Sequence, residues 1–138
     1  AMTAFQSHTT SNPAAVSQHA ALAALARREE SDAAVQHMVS EFHARRDAVL
    51  AALAPYPSLR VVHPAGAFYL YLHVGRYGGA ADPGALFAER VLERHSVAVV
   101  PGGAFYTPEW IRASYATRLD IAVEGVTRIA RCLTEEAP

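Results

Sequence analysis

The chain has 138 residues, the size of one ordinary domain, and can bury roughly two-thirds of its unfolded surface without staples. Apolar residues at 51% and charged residues at 18% exclude a disordered chain, and a net charge of -1 gives no basis for nucleic acid or an anionic membrane as partner. The single cysteine, Cys132, excludes an internal disulfide framework and fits a reducing, cytoplasmic compartment.

Ala1 ahead of Met2 reads as a scar of tag removal, and no signal peptide is expected at this start. With the polar run Ser7-His8-Thr9-Thr10-Ser11-Asn12 it sets residues 1–12 apart as a polar lead-in, of which residues 3–12 are expected to be extended or exchanged between copies. Residues 13–138 then form the domain. Asn12-Pro13 reads as a helix cap with proline at the first helical position, opening an Ala/Leu-rich helix to about Arg27. Ser31 starts a second helix to Ala54, with Val35, Met38, Val39, Phe42, Val49, Leu50 and Leu53 on one core-facing stripe; Pro55 and Pro57 end it. Leu59 to His63 reads as a short strand and Pro64-Ala65-Gly66 as a turn. A second strand runs from Ala67 to about Val74. Phe68, Leu70, Leu72 and Val74 lie on one face; Ala67, Tyr69, Tyr71 and His73 lie on the other. A glycine-rich loop over 75–84 leads to Asp82-Pro83, which caps a helix to about Arg94. Ser96 to Val100 reads as an apolar strand, and Trp110 to Tyr115 as the last one. Thr117 caps a final helix with Leu119, Ala122, Val123, Val126, Ile129, Ala130 and Leu133 on its stripe. The order α-α-β-β-α-β-β-α implies an α+β, two-layer domain, a small open sheet with helices on one face. No apolar run approaches a membrane span.

The residues that carry chemistry are few. All 12 basic residues are arginine; without lysine the chain cannot form a Schiff base through a lysine side chain. The seven histidines lack ligand spacing, and although His63 and His73 could meet across the hairpin, no metal site is expected. Cys132 beside the last stripe reads as a buried, inert thiol. Pro101-Gly102-Gly103 lacks a phosphate loop's lysine, and with a strand expected after it no helix N-terminus is offered. Arg27-Arg28 and Arg45-Arg46, each followed by acids, read as solvated helix faces. Arg112, inside the last strand, offers a planar fork that can hold a carboxylate by two parallel hydrogen bonds. Position alone favours the other reading, an edge arginine pointing into water.

Five blocks in order are more specific. Ser7 to Pro13 with Gln18, Arg45-Arg46-Asp47, Pro64-Ala65-Gly66-Ala67-Phe68-Tyr69, Val97-Ala98-Val99-Val100-Pro101-Gly102 with Phe105, and Ile111-Arg112-Ala113-Ser114-Tyr115-Ala116-Thr117 together resemble the class I/II aminotransferases, fold-type I enzymes of the aspartate aminotransferase group. The resemblance runs from about Phe5 to Leu133 and covers only the C-terminal part of these enzymes, the small domain and the last piece of the large one. It implies a parent that transfers an amino group between an amino acid and a 2-oxo acid with pyridoxal phosphate. In that parent Arg112 grips the substrate α-carboxylate and Phe105 is the aromatic beside it. Thr10 and Ser11 would lie at a homodimer interface near the neighbouring subunit's cofactor, and no catalytic residue is present. The implied partners are the missing large domain and small amino and 2-oxo acids. The isolated chain should be inactive, with no cofactor bound covalently. Departures from the family pattern are Tyr106, where glycine is frequent, and Arg118-Leu119-Asp120. The alternatives are a stand-alone, non-catalytic carboxylate-binding or interaction module and another fold-type I enzyme, such as a lyase or synthase. In a fragment, the faces that meet the large domain should be apolar.

Overall fold

The computed structural model describes residues 1–77 and 81–135, and its contacts divide the chain into two units, Ala1–Ser40 and Glu41–Pro138. The first unit holds α1 (Met2–Thr9), α2 (Ala15–Ala26) and the opening turns of α3 (Arg28–Leu53). The lead-in is therefore helical rather than extended. Met2 to Thr9 contains neither glycine nor proline, the Thr9 hydroxyl donates back to the Phe5 carbonyl at 3.0 Å, and Ser11 closes the segment at a left-handed φ of 60°. The expected sequence of elements thus gains a helix at its start. Asn12 does not cap α2. Its amide donates to the Pro13 carbonyl at 3.0 Å, and that carbonyl also accepts the Gln18 side chain at 2.8 Å, so α2 begins two residues later with Ala14 as its cap. Ser31 likewise lies inside α3 rather than before it, its hydroxyl donating back to the Ala24 carbonyl at 2.7 Å. The loop over 75–84 lies partly outside the described residues.

In α1 and α2 no residue is buried, and Phe5, Val16, Leu22 and Leu25 are all exposed. The predicted stripe on α3 divides in the same way. Val35, Met38 and Val39 are exposed, whereas Val49 and Leu53 are buried and Phe42 and Leu50 pack against the core.

The second unit takes the end of α3, then β1 (Val61–Val62), β2 (Tyr69–His73), α4 (Pro83–His95), β3 (Val100–Pro101), β4 (Trp110–Ser114) and α5 (Leu119–Glu135). Single 3-10 turns stand at Gly75–Tyr77 and Gly102–Phe105. The sheet is antiparallel throughout, in the order β1-β2-β4-β3. The alternation in β2 sets its orientation. Leu70 and Leu72 pair in register with Ala113 and Ile111, and all four are buried on one face. Phe87 and Val91 of α4, Val126, Ile129 and Leu133 of α5, and Val49 and Leu53 of α3 complete that core. Tyr69, Tyr71, His73, Trp110 and Arg112 are half-buried, as the alternate face of the pleat. This is the two-layer α+β arrangement expected.

Asp82 caps α4 as predicted, its carboxylate accepting the Ala85 N–H at 2.9 Å with Pro83 in the first turn. The strand expected over 96–100 is shorter. Ser96 closes α4 in a left-handed conformation, and only Val100 and Pro101 pair with β4. Residues 96–98 diverge from 113–114 and line, with α5, an open cavity of about 610 Å³. Thr117 is not the last cap either; the first helical hydrogen bond runs from Ala122 N–H to the Arg118 carbonyl. Among the described residues no helix is long and apolar enough to cross a membrane.

Tyr77 anchors the side of the core formed by α4 and α5. It is fully buried, its ring meets Phe87 edge-on at 5.1 Å, and its hydroxyl lies 3.4 Å from both the Cys132 carbonyl and Sγ. Burial pushes its hydroxyl above the ordinary 10.0, as it does for Tyr115. Above pH 10 the folded state thus keeps protons that the unfolded state loses, and stability falls as pH rises. We expect the melting temperature to drop above pH 10, and Tyr77→Phe to make that drop shallower in a pH series of thermal unfolding. A fall equally steep in Tyr77→Phe would contradict this.

Candidate carboxylate-binding site

β4 is built for the sheet, with Trp110 and Ile111 as strand formers, and its period of two sets Ile111 and Ala113 inward and Arg112 on the opposite face. The segment before it is fixed by backbone contacts. Thr107 donates to the Gly102 carbonyl through both its N–H, at 3.0 Å, and its hydroxyl, at 3.1 Å. The Thr107 hydroxyl also meets the Tyr71 hydroxyl, tying this loop to β2. A side chain at Gly102 would collide with the Thr107 carbonyl and lie 2.6 Å from the Trp110 carbonyl, so only glycine fits. Gly84 at the start of α4 donates its N–H to the Pro108 carbonyl at 2.7 Å, joining that helix to the same loop. A single 3-10 turn, not the expected strand, thus follows Pro101, and it carries Phe105 to the flank of β4.

Arg112 meets two aromatic rings there. Its guanidinium carbon lies 4.4 Å from the Tyr69 ring centre and 4.6 Å from that of Phe105. Tyr69 belongs to β2 and Phe105 to the segment after β3, so the rings come from opposite sides of β4. Among the described residues the Arg112 guanidinium makes no hydrogen bond and no ion pair. Other arginines of this unit do: Arg45 lies 3.5 Å from Glu41, Arg46 2.8 Å from Asp47, and Arg118 2.6 Å from Asp120. A half-buried cation whose N–H edge is uncommitted can take a carboxylate in a bidentate grip.

Beside it Trp110 stacks on Tyr71 at 5.2 Å, with His73 edge-on at 5.0 Å and the Arg60 guanidinium 5.6 Å from its ring centre. His73 does not meet His63. The register sets it opposite Arg60, whose carbonyl accepts its N–H at 2.9 Å, and its ring nitrogen lies 3.3 Å from Glu109. Among the described residues no group of three or more metal-ligating side chains comes together. Cys132 is buried, and Thr10 and Ser11 are exposed in the first unit, after α1. The large cavity is lined by Ala113 and Ser114 but not by Arg112. Arg112 and Phe105, the two residues expected at this place, do lie together, and Tyr69, which was not expected there, joins them from the same face of the sheet.

Tyr106 closes the Gly102–Phe105 turn at φ 59°, ψ 25°, with its ring almost wholly exposed. A side chain in this region costs about 1–2 kcal/mol, which explains why glycine suits the position. Tyr106→Gly should therefore stabilise the chain by about 1 kcal/mol in urea denaturation, and Gly102→Ala should destabilise it by about 1–3 kcal/mol. An unchanged midpoint for Gly102→Ala would refute the steric argument.

Comparison with known proteins gives the family. A family model described as "Aminotransferase class I and II" matches residues 1–126. Aspartate aminotransferase of Bacillus subtilis (strain 168) is 38% identical over 134 residues, covering 95% of this chain and 33% of the relative. The solved aromatic aminotransferase of Pyrococcus horikoshii OT3 superposes with a TM-score of 0.82 at 35% identity, over 96% of this chain and 35% of that one. Aspartate aminotransferase from Thermus thermophilus, solved with maleate, gives 0.80 at 34% identity, over 93% of this chain and 32% of that one. The chain spans about a third of the length of the curated relatives it matches.

Proposed function

Starting from the fact that this chain belongs to the class I and II aminotransferases, we propose that it is the C-terminal part of an enzyme that moves an amino group between an amino acid and a 2-oxo acid. The observation that carries this reading is Arg112, a guanidinium on a strand with aromatic neighbours and no carboxylate partner among the described residues. Amino acids and 2-oxo acids share the α-carboxylate, so one bidentate arginine serves both half-reactions without moving. A strand fixes the fork more closely than a loop can, and Phe105 shields one of its flanks.

Pyridoxal phosphate, which the family uses, supplies the electron sink for such transfers when bound. The residues present do not fit it: with no lysine among 138 residues there is no side-chain amine to anchor the cofactor. The role of this chain is therefore to bind and orient substrate, with cofactor chemistry coming from a lysine-bearing large domain outside these residues. A homodimer in a reducing, cytoplasmic compartment completes the reading, with Thr10 and Ser11 near the neighbouring copy's cofactor. The exposed apolar residues of the Ala1–Ser40 unit support a larger assembly, because they are surface that a separate domain would leave in water.

The test is to read the gene upstream of the Met2 codon and assay both products. We expect a continuous frame encoding a lysine-bearing domain, no amino transfer by the present chain with added pyridoxal phosphate, and activity in the longer product. Arg112→Lys in that product keeps the charge but loses the fork, and kcat/KM should fall about a hundredfold. Micromolar binding of a 2-oxo acid by the present chain alone, with no lysine-bearing domain encoded upstream, would favour a stand-alone carboxylate-binding module instead.

A further inference from the structure

We propose that Tyr69 is a positioning residue for carboxylate recognition: its ring, with that of Phe105, orients the Arg112 guanidinium through its faces and leaves the N–H edge free. The inference rests on the reading that Arg112 binds a substrate carboxylate, and it names what holds that arginine ready.

A guanidinium has two faces and an edge that carries five N–H donors. Proteins usually fix it by the edge. Arg118 shows this, donating from Nε at 3.1 Å and Nη2 at 2.6 Å to the two oxygens of Asp120, and Arg128 donates to Glu124 and to the His95 carbonyl. An arginine held in that way has already used the donors a substrate needs, and its charge is already compensated. An aromatic ring acts on the face instead. Its negative π-cloud attracts the cation and uses no N–H. Two rings at 4.4 and 4.6 Å therefore restrict the side chain while leaving both charge and donors for a ligand. Much of the rotamer freedom a long side chain would lose on binding is lost in advance.

Tyr69 suits this role better than its strand neighbour. Tyr71 is the residue directly opposite Arg112 in the ladder, but its ring is stacked on Trp110 and its hydroxyl is bonded to Thr107. Tyr69 lies one row along, opposite Ser114, and takes the guanidinium on the diagonal. It is itself supported. Phe68 lies 4.6 Å from its ring, and Phe42 of α3 stacks on Phe68 at 5.5 Å. Its hydroxyl makes no hydrogen bond among the described residues, so the ring alone performs the task.

The experiment is an NMR titration of the present chain with pyruvate, the smallest 2-oxo acid, in wild type, Tyr69→Phe, Tyr69→Leu and Arg112→Gln, with the amide spectrum confirming that each variant is folded. In the unliganded chain the Arg112 Nε–H proton should be displaced upfield by the ring faces. That displacement should persist in Tyr69→Phe and shrink in Tyr69→Leu. Pyruvate affinity should be unchanged in Tyr69→Phe, about tenfold weaker in Tyr69→Leu, and abolished in Arg112→Gln. Wild-type affinity in Tyr69→Leu together with loss in Arg112→Gln would overturn the role of Tyr69 and leave that of Arg112 standing. Wild-type affinity in Arg112→Gln would overturn both.

Discussion

A cation held half out of water, with no anion beside it among the described residues, is the constraint on which this structure turns. Arg112 pays part of its hydration to lie among Tyr69 and Phe105, and no carboxylate of the described residues compensates it. The surrounding backbone keeps the rings where the cation needs them. Gly102 brings carbonyls together that any side chain would separate, Thr107 locks the turn with two donors on one acceptor, and Gly84 fastens α4 to the same loop. Those contacts stabilise a geometry that leaves the N–H edge of Arg112 without a hydrogen-bond partner among the described residues.

The parts of the fold that were legible in the sequence are those set by short-range rules. Alternation in β2 and β4 gave the two faces of the sheet, and Asp82-Pro83 gave the start of α4, because pleat and cap are local properties. The failures were also local, but competitive. Asn12 and Ser31 are good cap residues whose side chains found other carbonyls, and Ser96 to Val99 has a strand's composition without a partner over most of its length. Composition shows what a segment can do; whether a neighbour is available is decided elsewhere in the chain.

The site divides in the same manner. Arg112 and Phe105 could be named from the family resemblance, and alternation put Arg112 on a defined face. The approach of Tyr69 needed the register, because a diagonal neighbour across two strands has no fixed spacing in sequence. The apolar stripe of α3 carries a similar lesson. Its C-terminal half is buried by this chain and its N-terminal half is exposed, although one periodicity runs through both.

The divergence of residues 96–98 from β4 has a consequence for how this polypeptide behaves in concentrated solution. Val97-Ala98-Val99-Val100 is uncharged, rich in β-branched residues and leads into the edge strand; Val97 and Val99 pack against the core, which leaves Ala98 and Val100 as the members open to stacking with another edge. Pro101, which has no N–H to donate, blunts only its far end. A single charge introduced at the exposed Ala98 would guard that margin against stacking between copies.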